Sequence, residues 1–121
     1  MSDYTYDAKV LDVIDGDTIV CLVDLGFDIH IRQHLRLYGI NAREIHSKDA
    51  AEKAAGIEAK IALKGLLTDF PIIIETFKDA TEKYGRLLAK VRVLRPGTPA
   101  LLVNDEMIRL GHARAYFGGK R

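Results

Sequence analysis

Three short segments of the chain combine ionisable side chains with residues that favour tight turns. The first, residues 14–18 with sequence IDGDT, places two aspartates on either side of a glycine. Their carboxylate oxygens are hard donors suited to a divalent cation, although aspartate is also a favoured turn residue. The spacing excludes an EF-hand loop, because Gly26 stands where that loop needs a bidentate glutamate. A cation bound here would therefore need further ligands from elsewhere in the fold.

The second segment, residues 36–44 with sequence RLYGINARE, brings an arginine and a glutamate onto adjoining stretches of backbone. Arg36 ends a predicted strand, Gly39 lets the chain turn, and Glu44 follows within the loop. A guanidinium binds phosphate through paired hydrogen bonds, and a carboxylate accepts a proton from water, so the segment suits a phosphodiester. The alternative is an exposed strand with an Arg–Glu surface pair, which is worth at most about 1 kcal/mol.

The third segment, residues 82–86 with sequence EKYGR, is a predicted turn that ends in a second arginine. Arg86 offers another cation for phosphate, and Tyr84 offers an aromatic ring. A surface turn with a protruding tyrosine explains the same residues without any chemistry. Each segment alone is open to a structural interpretation, so their meaning depends on whether the fold brings them together.

The alternation of apolar and polar residues predicts three meandering strands in the first third of the chain. These strands cover residues 6–14, 18–23 and 29–38. Asp15 and Gly16 are expected to form the first turn, and Leu25 and Gly26 the second. The first two segments with chemical potential therefore lie at strand ends.

A helix is predicted after the third strand, because alanine, isoleucine and leucine recur at helical spacing over residues 50–66. Ser47 is the expected N-cap, and Gly56 weakens the helix by about 1 kcal/mol relative to alanine. The remaining elements are strands over residues 70–77 and 87–94 and a short helix over residues 104–111. Five strands with a helix between the third and fourth is the element order of an OB-fold Greek-key barrel, an α+β fold that is mainly β.

Length and composition indicate a single globular domain over residues 1–121. Hydrophobic residues make up 48% of the chain and charged residues 29%, which excludes the disordered and fibrous classes. Cys21 is the only cysteine, so we expect a buried structural thiol in a reducing compartment and no disulfide within the chain. The sequence as given has neither a membrane-spanning stretch nor a secretory leader, which predicts a cytoplasmic protein without membrane contact.

Charge is distributed unevenly along the chain, although the formal net charge is only +1. Residues 1–28 contain seven aspartates and a single lysine, whereas residues 29–121 carry an excess of basic side chains. A cation site beside a phosphate-binding surface would need this arrangement. Solvated strand and helix faces would give the same distribution.

Taken together, the three segments resemble the staphylococcal nuclease-like family, the thermonucleases, in order and approximate spacing. The matching features are DGDT at residues 15–18, Arg36 followed eight residues later by Glu44, KYGR at residues 83–86, and Val103-Asn104 and Gly111 in the last helix. The resemblance covers roughly residues 8–117. It implies an OB-fold barrel and a calcium-dependent phosphodiesterase that cuts DNA and RNA with little base preference, at the bond to the 5′ oxygen.

The resemblance also implies the roles of individual residues in catalysis. Arg36 and Arg86 would hold the phosphate and stabilise the charge that develops on it. Glu44 would position or deprotonate the attacking water. Tyr84 would contact the nucleotide, and Phe117 would offer an aromatic face to a base.

The metal ligands that the resemblance implies are Asp17, Asn41 and the backbone carbonyl of Ala42, for Ca²⁺ or another divalent ion. The family pattern has aspartate at the position of Asn41, threonine at Ala42 and proline at Arg43. An asparagine oxygen attracts a hard cation less than a carboxylate does, so metal affinity should fall or shift in preference. Arg43 would favour the ionised form of Glu44 if the two side chains approach closely.

Two functions remain open at this point. The first is a metal-dependent nuclease acting on DNA or RNA. The second is a catalytically weak or inactive OB-fold module that binds single-stranded nucleic acid or a protein partner, as the loss of a ligand charge at Asn41 suggests. Glu44 together with Arg36 and Arg86 favours the nuclease, because a module that only binds has no need of a carboxylate near a phosphate.

Overall fold

The computed structural model describes residues 4–81 and 86–116 of the chain. Its elements in chain order are β1 (Thr5–Asp15), β2 (Thr18–Asp24), β3 (His30–Leu37), β4 (Ile40–Ala42), α1 (Ala50–Leu67), β5 (Ile72–Thr81), β6 (Leu87–Val93), β7 (Leu101–Leu102), α2 (Val103–Arg109) and β8 (Ala113–Ala115). Neither helix has the length and apolar character needed to cross a membrane.

Five of these strands form a closed barrel. β1 pairs antiparallel with β2 and β5, β2 pairs with β3, and β5 pairs with β6. The barrel closes where residues 35–37 of β3 pair in parallel with residues 87–89 of β6. Apolar side chains fill the interior, the largest of the fully buried ones including Ile19, Leu35, Leu37, Ile72, Ile74 and Val91. The predicted five-stranded OB barrel, with α1 between its third and fourth strands and α2 near the C-terminus, is confirmed.

The first hairpin is shifted by one residue from its predicted position. Asp15 pairs with Thr18 across the ladder, so Gly16 and Asp17 form the turn instead of Asp15 and Gly16. The carboxylate of Asp15 accepts a hydrogen bond from the backbone N–H of Asp17 at 3.1 Å, which holds this tight connection together. The shift places Asp17 at the tip of the turn, where its side chain points toward β4.

The start of α1 differs from the prediction, which named Ser47 as the N-cap. The cap is Asp49, whose side chain accepts a hydrogen bond from the N–H of Glu52 at 3.1 Å. Ser47 instead accepts a hydrogen bond from the N–H of Asp49 at 3.1 Å, in the loop that precedes the helix. The prediction was wrong because both residues are good capping types, and only the helical backbone decides which of them lies one position before the first turn.

Gly56 is buried in α1 and allows a loop to pack directly on the helix backbone. A Cβ atom at this position would lie 2.5 Å from the backbone nitrogen of Ile45 and 2.6 Å from the carbonyl carbon of Glu44. The glycine that weakens the helix in isolation is therefore a condition for the close approach of this loop. The contact fixes the backbone of Glu44 relative to α1.

Replacing Gly56 by alanine should lower the free energy of unfolding by about 2 kcal/mol, because the new methyl group meets backbone atoms that cannot rotate away. Gly65 lies on an exposed face of the same helix, and a Cβ there would have no heavy atom within 4 Å. Gly65→Ala should raise the free energy of unfolding by about 0.5–1 kcal/mol through helix propensity alone. Urea titration followed by circular dichroism measures both, and stabilisation by Gly56→Ala would contradict the packing.

α2 is joined to the barrel by the buried side chain of Asn104. Its Oδ1 accepts a hydrogen bond from the N–H of Val91 at 2.9 Å, and its Nδ2 donates to the carbonyls of Tyr38 at 2.8 Å and Ala89 at 3.1 Å. The helix begins at Val103, one residue before the predicted start at residue 104. It ends at Arg109, two residues before the predicted end at residue 111. Asn104 thus ties the end of β3 to β6, next to the segment that contains Asn41 and Glu44.

Cys21 is fully buried in β2, as predicted. Burial raises the pKa of its thiol to about 12, so the thiol stays neutral over the physiological pH range. It is therefore a packing residue rather than a nucleophile.

Candidate active site

The turn between β1 and β2 directs Asp17 against β4. One carboxylate oxygen of Asp17, Oδ2, accepts a hydrogen bond from the N–H of Ala42 at 2.9 Å. The other, Oδ1, accepts one from the hydroxyl of Thr18 at 3.1 Å. The residue is only 8% exposed, so these contacts replace the water that a surface aspartate would bind.

The glycine of the DGDT motif is required by packing at this turn. A Cβ at Gly16 would lie 2.8 Å from the Cβ of Ala42 and 2.9 Å from the Cβ of Ala59. The turn therefore inserts between β4 and α1, with small side chains on both sides. This close approach brings the Asp17 carboxylate within reach of the β4 backbone.

Arg36 lies at the centre of the site and is 9% exposed. Its Nη1 donates hydrogen bonds to the carbonyls of Ile40 at 3.0 Å and Leu37 at 3.4 Å. Its Nη2 lies 3.3 Å from Oδ1 of Asn41 and 3.5 Å from Oδ2 of Asp17. One guanidinium nitrogen thus gathers the two side-chain oxygens that the sequence predicts to bind a metal ion.

The backbone of Ala42 faces the same cluster. The N–H of the next residue, Arg43, donates to the carbonyl of His112 on the β8 side. Because the backbone N–H groups of successive strand residues point to opposite sides, the N–H of Ala42 points away from β8. The N–H of Ala42 on that side binds Asp17. The carbonyl of the same residue is the predicted third ligand.

Arg86 joins the cluster through Thr18. Its Nη1 donates a hydrogen bond at 3.2 Å to the Thr18 hydroxyl, which in turn donates to Asp17. Thr18 is 1% exposed and lies directly opposite Arg36 in the β2–β3 ladder. Sequence reasoning missed this role of Thr18, although a hydroxyl directly after Asp17 at the start of a strand was an available signal.

The carboxylates of Asp15 and Asp17 influence each other's ionisation in this turn. Burial, together with the hydrogen bond to the nearby Asp17 carboxylate, raises the pKa of Asp15 to about 6. Burial also opposes ionisation of Asp17, but the hydrogen bond with Asp15 and the charge of Arg36 outweigh it and hold the pKa of Asp17 below its ordinary value. Two carboxylates compete for one proton here, with a single buried guanidinium close by.

The donor set fits a hard divalent ion such as Ca²⁺, because it consists entirely of oxygens from a carboxylate, an amide and a backbone carbonyl. Within residues 4–81 and 86–116, no group of three or more histidine, cysteine, aspartate or glutamate side chains is arranged to hold a metal ion. A site built on Asp17, Asn41 and Ala42 would therefore depend on neutral oxygens for most of its ligands.

Glu44 is exposed and lies in the loop that packs on Gly56. Its carboxylate accepts a hydrogen bond from the N–H of His46 at 3.0 Å, and its own N–H donates to Oε2 of Glu52 at 3.0 Å. The other oxygen of Glu52 pairs with Nε of Arg43 at 3.1 Å. Arg43 is thus paired with Glu52 rather than with Glu44.

An open cleft of about 460 Å³ lies in front of Asn41, Ala42 and Glu44. The other residues that line it are Arg43, Glu52, Gly111, Ala113 and Arg114. A larger cleft of about 560 Å³ lies between β1 and the end of α1, and no predicted site residue lines it.

The structure therefore brings most of the predicted site residues to one end of the barrel. Asp17, Arg36, Asn41, Ala42 and Arg86 form one connected cluster, and Glu44 shares a cleft with Asn41 and Ala42. The predictions for Tyr84 and Phe117 concern residues outside the described part of the chain.

Replacing Arg36 by methionine should lower the free energy of unfolding by about 3 kcal/mol, because it leaves the buried Asp17 carboxylate without its cation. Arg32 lies on the same strand but is exposed, so Arg32→Met should change the free energy of unfolding by less than about 0.5 kcal/mol. Urea titration compares the two variants. Equal effects at both positions would mean that Arg36 does not support the cluster.

Comparisons with known proteins show which family the chain resembles. Residues 34–121 match the family described as staphylococcal nuclease homologue. The chain is 32% identical over 116 residues to a thermonuclease of Staphylococcus hyicus, and the alignment covers 96% of this chain and 62% of that relative. The chain thus spans less than two thirds of the relative's length. The sequence resemblance is confirmed, and the chain belongs to the staphylococcal nuclease homologue family.

Proposed function

We propose that the protein is a metal-dependent nuclease that hydrolyses phosphodiester bonds of DNA or RNA. The observation that carries the proposal is the convergence of Asp17, Asn41, Arg36 and Arg86 at one end of the barrel, beside a cleft that contains Glu44. Membership of a nuclease family supports the same reaction class.

The chemistry of phosphodiester hydrolysis explains why this set of groups is sufficient. The transition state carries extra negative charge on the phosphate oxygens, and fixed cations lower its energy. Arg36 and Arg86 supply two permanent positive charges whose positions are set by hydrogen bonds to the barrel. Glu44 would orient the attacking water and accept its proton, a role that suits an exposed carboxylate at the edge of a cleft.

We assign Asp17, Asn41 and the carbonyl of Ala42 as the residues that would hold Ca²⁺. The ion, when bound, adds positive charge beside the phosphate oxygens. Arg36 keeps the Asp17 and Asn41 oxygens close together before any ion arrives, which reduces the cost of organising the ligands. Tyr84 and Phe117 remain predicted contacts for the nucleotide.

The second candidate function is a module that binds nucleic acid without cutting it. The observation that favours it is Asn41, a neutral side chain in a position where the family pattern has a carboxylate. The same cluster would then bind a phosphate but hold the metal ion too weakly for catalysis.

Cleavage of single-stranded DNA with added Ca²⁺ tests the proposal. We expect the purified chain to cut the DNA and EDTA to stop the reaction. Glu44→Gln should lower the rate at least about 100-fold while leaving DNA affinity nearly unchanged, because it removes the proton acceptor and keeps the shape. Glu58→Gln, an exposed change on α1, should cut at the normal rate.

Two outcomes would overturn parts of this proposal. Folded protein that cuts no DNA with any divalent ion would favour the binding module. Normal cleavage by Glu44→Gln would remove Glu44 from the mechanism.

Replacing Asn41 by aspartate should tighten Ca²⁺ binding by about tenfold, since a carboxylate attracts a hard cation more strongly than an amide does. Gln33→Glu adds the same charge on β3 outside the cluster and should leave the affinity unchanged. Calorimetric titration with Ca²⁺ measures both variants. Weaker binding by Asn41→Asp would contradict the ligand assignment.

A further inference from the structure

Arg114 lies on β8, directly opposite Asn41 in the antiparallel β4–β8 ladder. Residues directly opposite each other in such a ladder project from the same face of the sheet. Arg114 also lines the 460 Å³ cleft that contains Asn41 and Glu44. An exposed arginine thus lies on the strand next to that of a proposed metal ligand.

The other arginines around the site, Arg36, Arg43 and Arg86, form hydrogen bonds or ion pairs with protein groups. Arg36 binds the carbonyls of Ile40 and Leu37, and Arg86 binds Thr18. Arg43 lines the cleft, but its charge is paired with Glu52. Within residues 4–81 and 86–116, the side chain of Arg114 makes no hydrogen bond or ion pair. Its guanidinium can donate up to five hydrogen bonds, and the residue lines the cleft, so these donors are available to a ligand there.

The backbone of Arg114 is held on both sides. β8, which contains Arg114, follows α2 through a turn. In this turn the N–H of His112 donates a hydrogen bond to the carbonyl of Met107 at 3.0 Å. Directly after β8, the N–H of Tyr116 donates a hydrogen bond to the carbonyl of Gly39 at 2.8 Å. Binding of a ligand in the cleft would then have to order the Arg114 side chain but not its backbone.

We propose that Arg114 binds a phosphate of the nucleic-acid strand next to the phosphate that is cut. This inference rests on the proposed nuclease function, which places the reacting phosphate at the Asp17–Arg36 cluster. A strand that enters the cleft would then meet two separate cations, first at the cluster and then at Arg114. The substrate class favoured by this arrangement is an oligonucleotide with at least two phosphates rather than a single phosphodiester.

The test compares Arg114→Gln with Arg109→Gln, which removes an exposed arginine on α2 whose charge is already paired with Glu106. Binding of a single-stranded DNA 12-mer is measured by fluorescence anisotropy, with EDTA present, at several salt concentrations. Arg114→Gln should weaken binding about tenfold at low salt and reduce the slope of log affinity against log salt by about 0.7. Arg109→Gln should leave the affinity and the slope unchanged.

Cleavage with Ca²⁺ adds a second readout. The value of kcat/KM is measured for the oligonucleotide and for a nitrophenyl ester of thymidine 5′-phosphate. In Arg114→Gln the first value divided by the second should fall about tenfold, mainly because KM for the oligonucleotide rises. Arg114→Lys keeps the charge and should recover part of the loss, since lysine binds phosphate as a point charge.

The outcomes separate the two levels of the proposal. If wild-type protein cuts DNA and Arg114→Gln matches it in DNA affinity and salt dependence, the role of Arg114 is wrong and the nuclease proposal stands. If wild-type protein neither binds nor cuts DNA, the proposed function fails and the role of Arg114 fails with it.

Discussion

The buried guanidinium of Arg36 is the interaction on which the rest of the site depends. It contacts Asp17 from the first hairpin and Asn41 from β4, and it binds the carbonyls that turn the chain between β3 and β4. A charge at this depth is tolerable only because acceptors surround it, and those acceptors are held in place by the same charge. The closure of the barrel at residues 35–37 therefore also organises the site.

A second constraint holds Glu44, and it comes from α1 rather than from the barrel. The loop at Glu44 packs on the backbone of Gly56, which has no side chain. The carboxylate of Glu52 accepts a hydrogen bond from the N–H of Glu44 and also pairs with Arg43. The barrel thus positions the proposed metal ligands and the helix positions the proposed proton acceptor. The cleft forms where these two supports meet, so α1 contributes to the candidate site as well as to the packing of the barrel.

The sequence was sufficient to single out Asp17, Arg36 and Glu44, because residue type and spacing along the chain are local properties, while their catalytic and metal-binding roles stay predictions. It was not sufficient for Thr18 and Glu52, whose roles arise from partners that only the fold brings near. The choice between Ser47 and Asp49 as the N-cap depends on backbone geometry, and a three-residue strand such as β4 has too few residues to show a periodic pattern. Gly56 was interpreted as a cost to the helix, since its contact with the loop lies outside any local pattern.

A crystal structure with Ca²⁺ and a nucleoside 3′,5′-bisphosphate tests the central claim most directly, namely that side chains from separate turns form one site for a cation and a phosphate. We predict that the ion is bound by Asp17 and Asn41, and that a phosphate lies within reach of that ion and of the cleft beside Glu44. An ion and a phosphate bound at separate surfaces, with neither in contact with Asp17 or Asn41, would contradict the account.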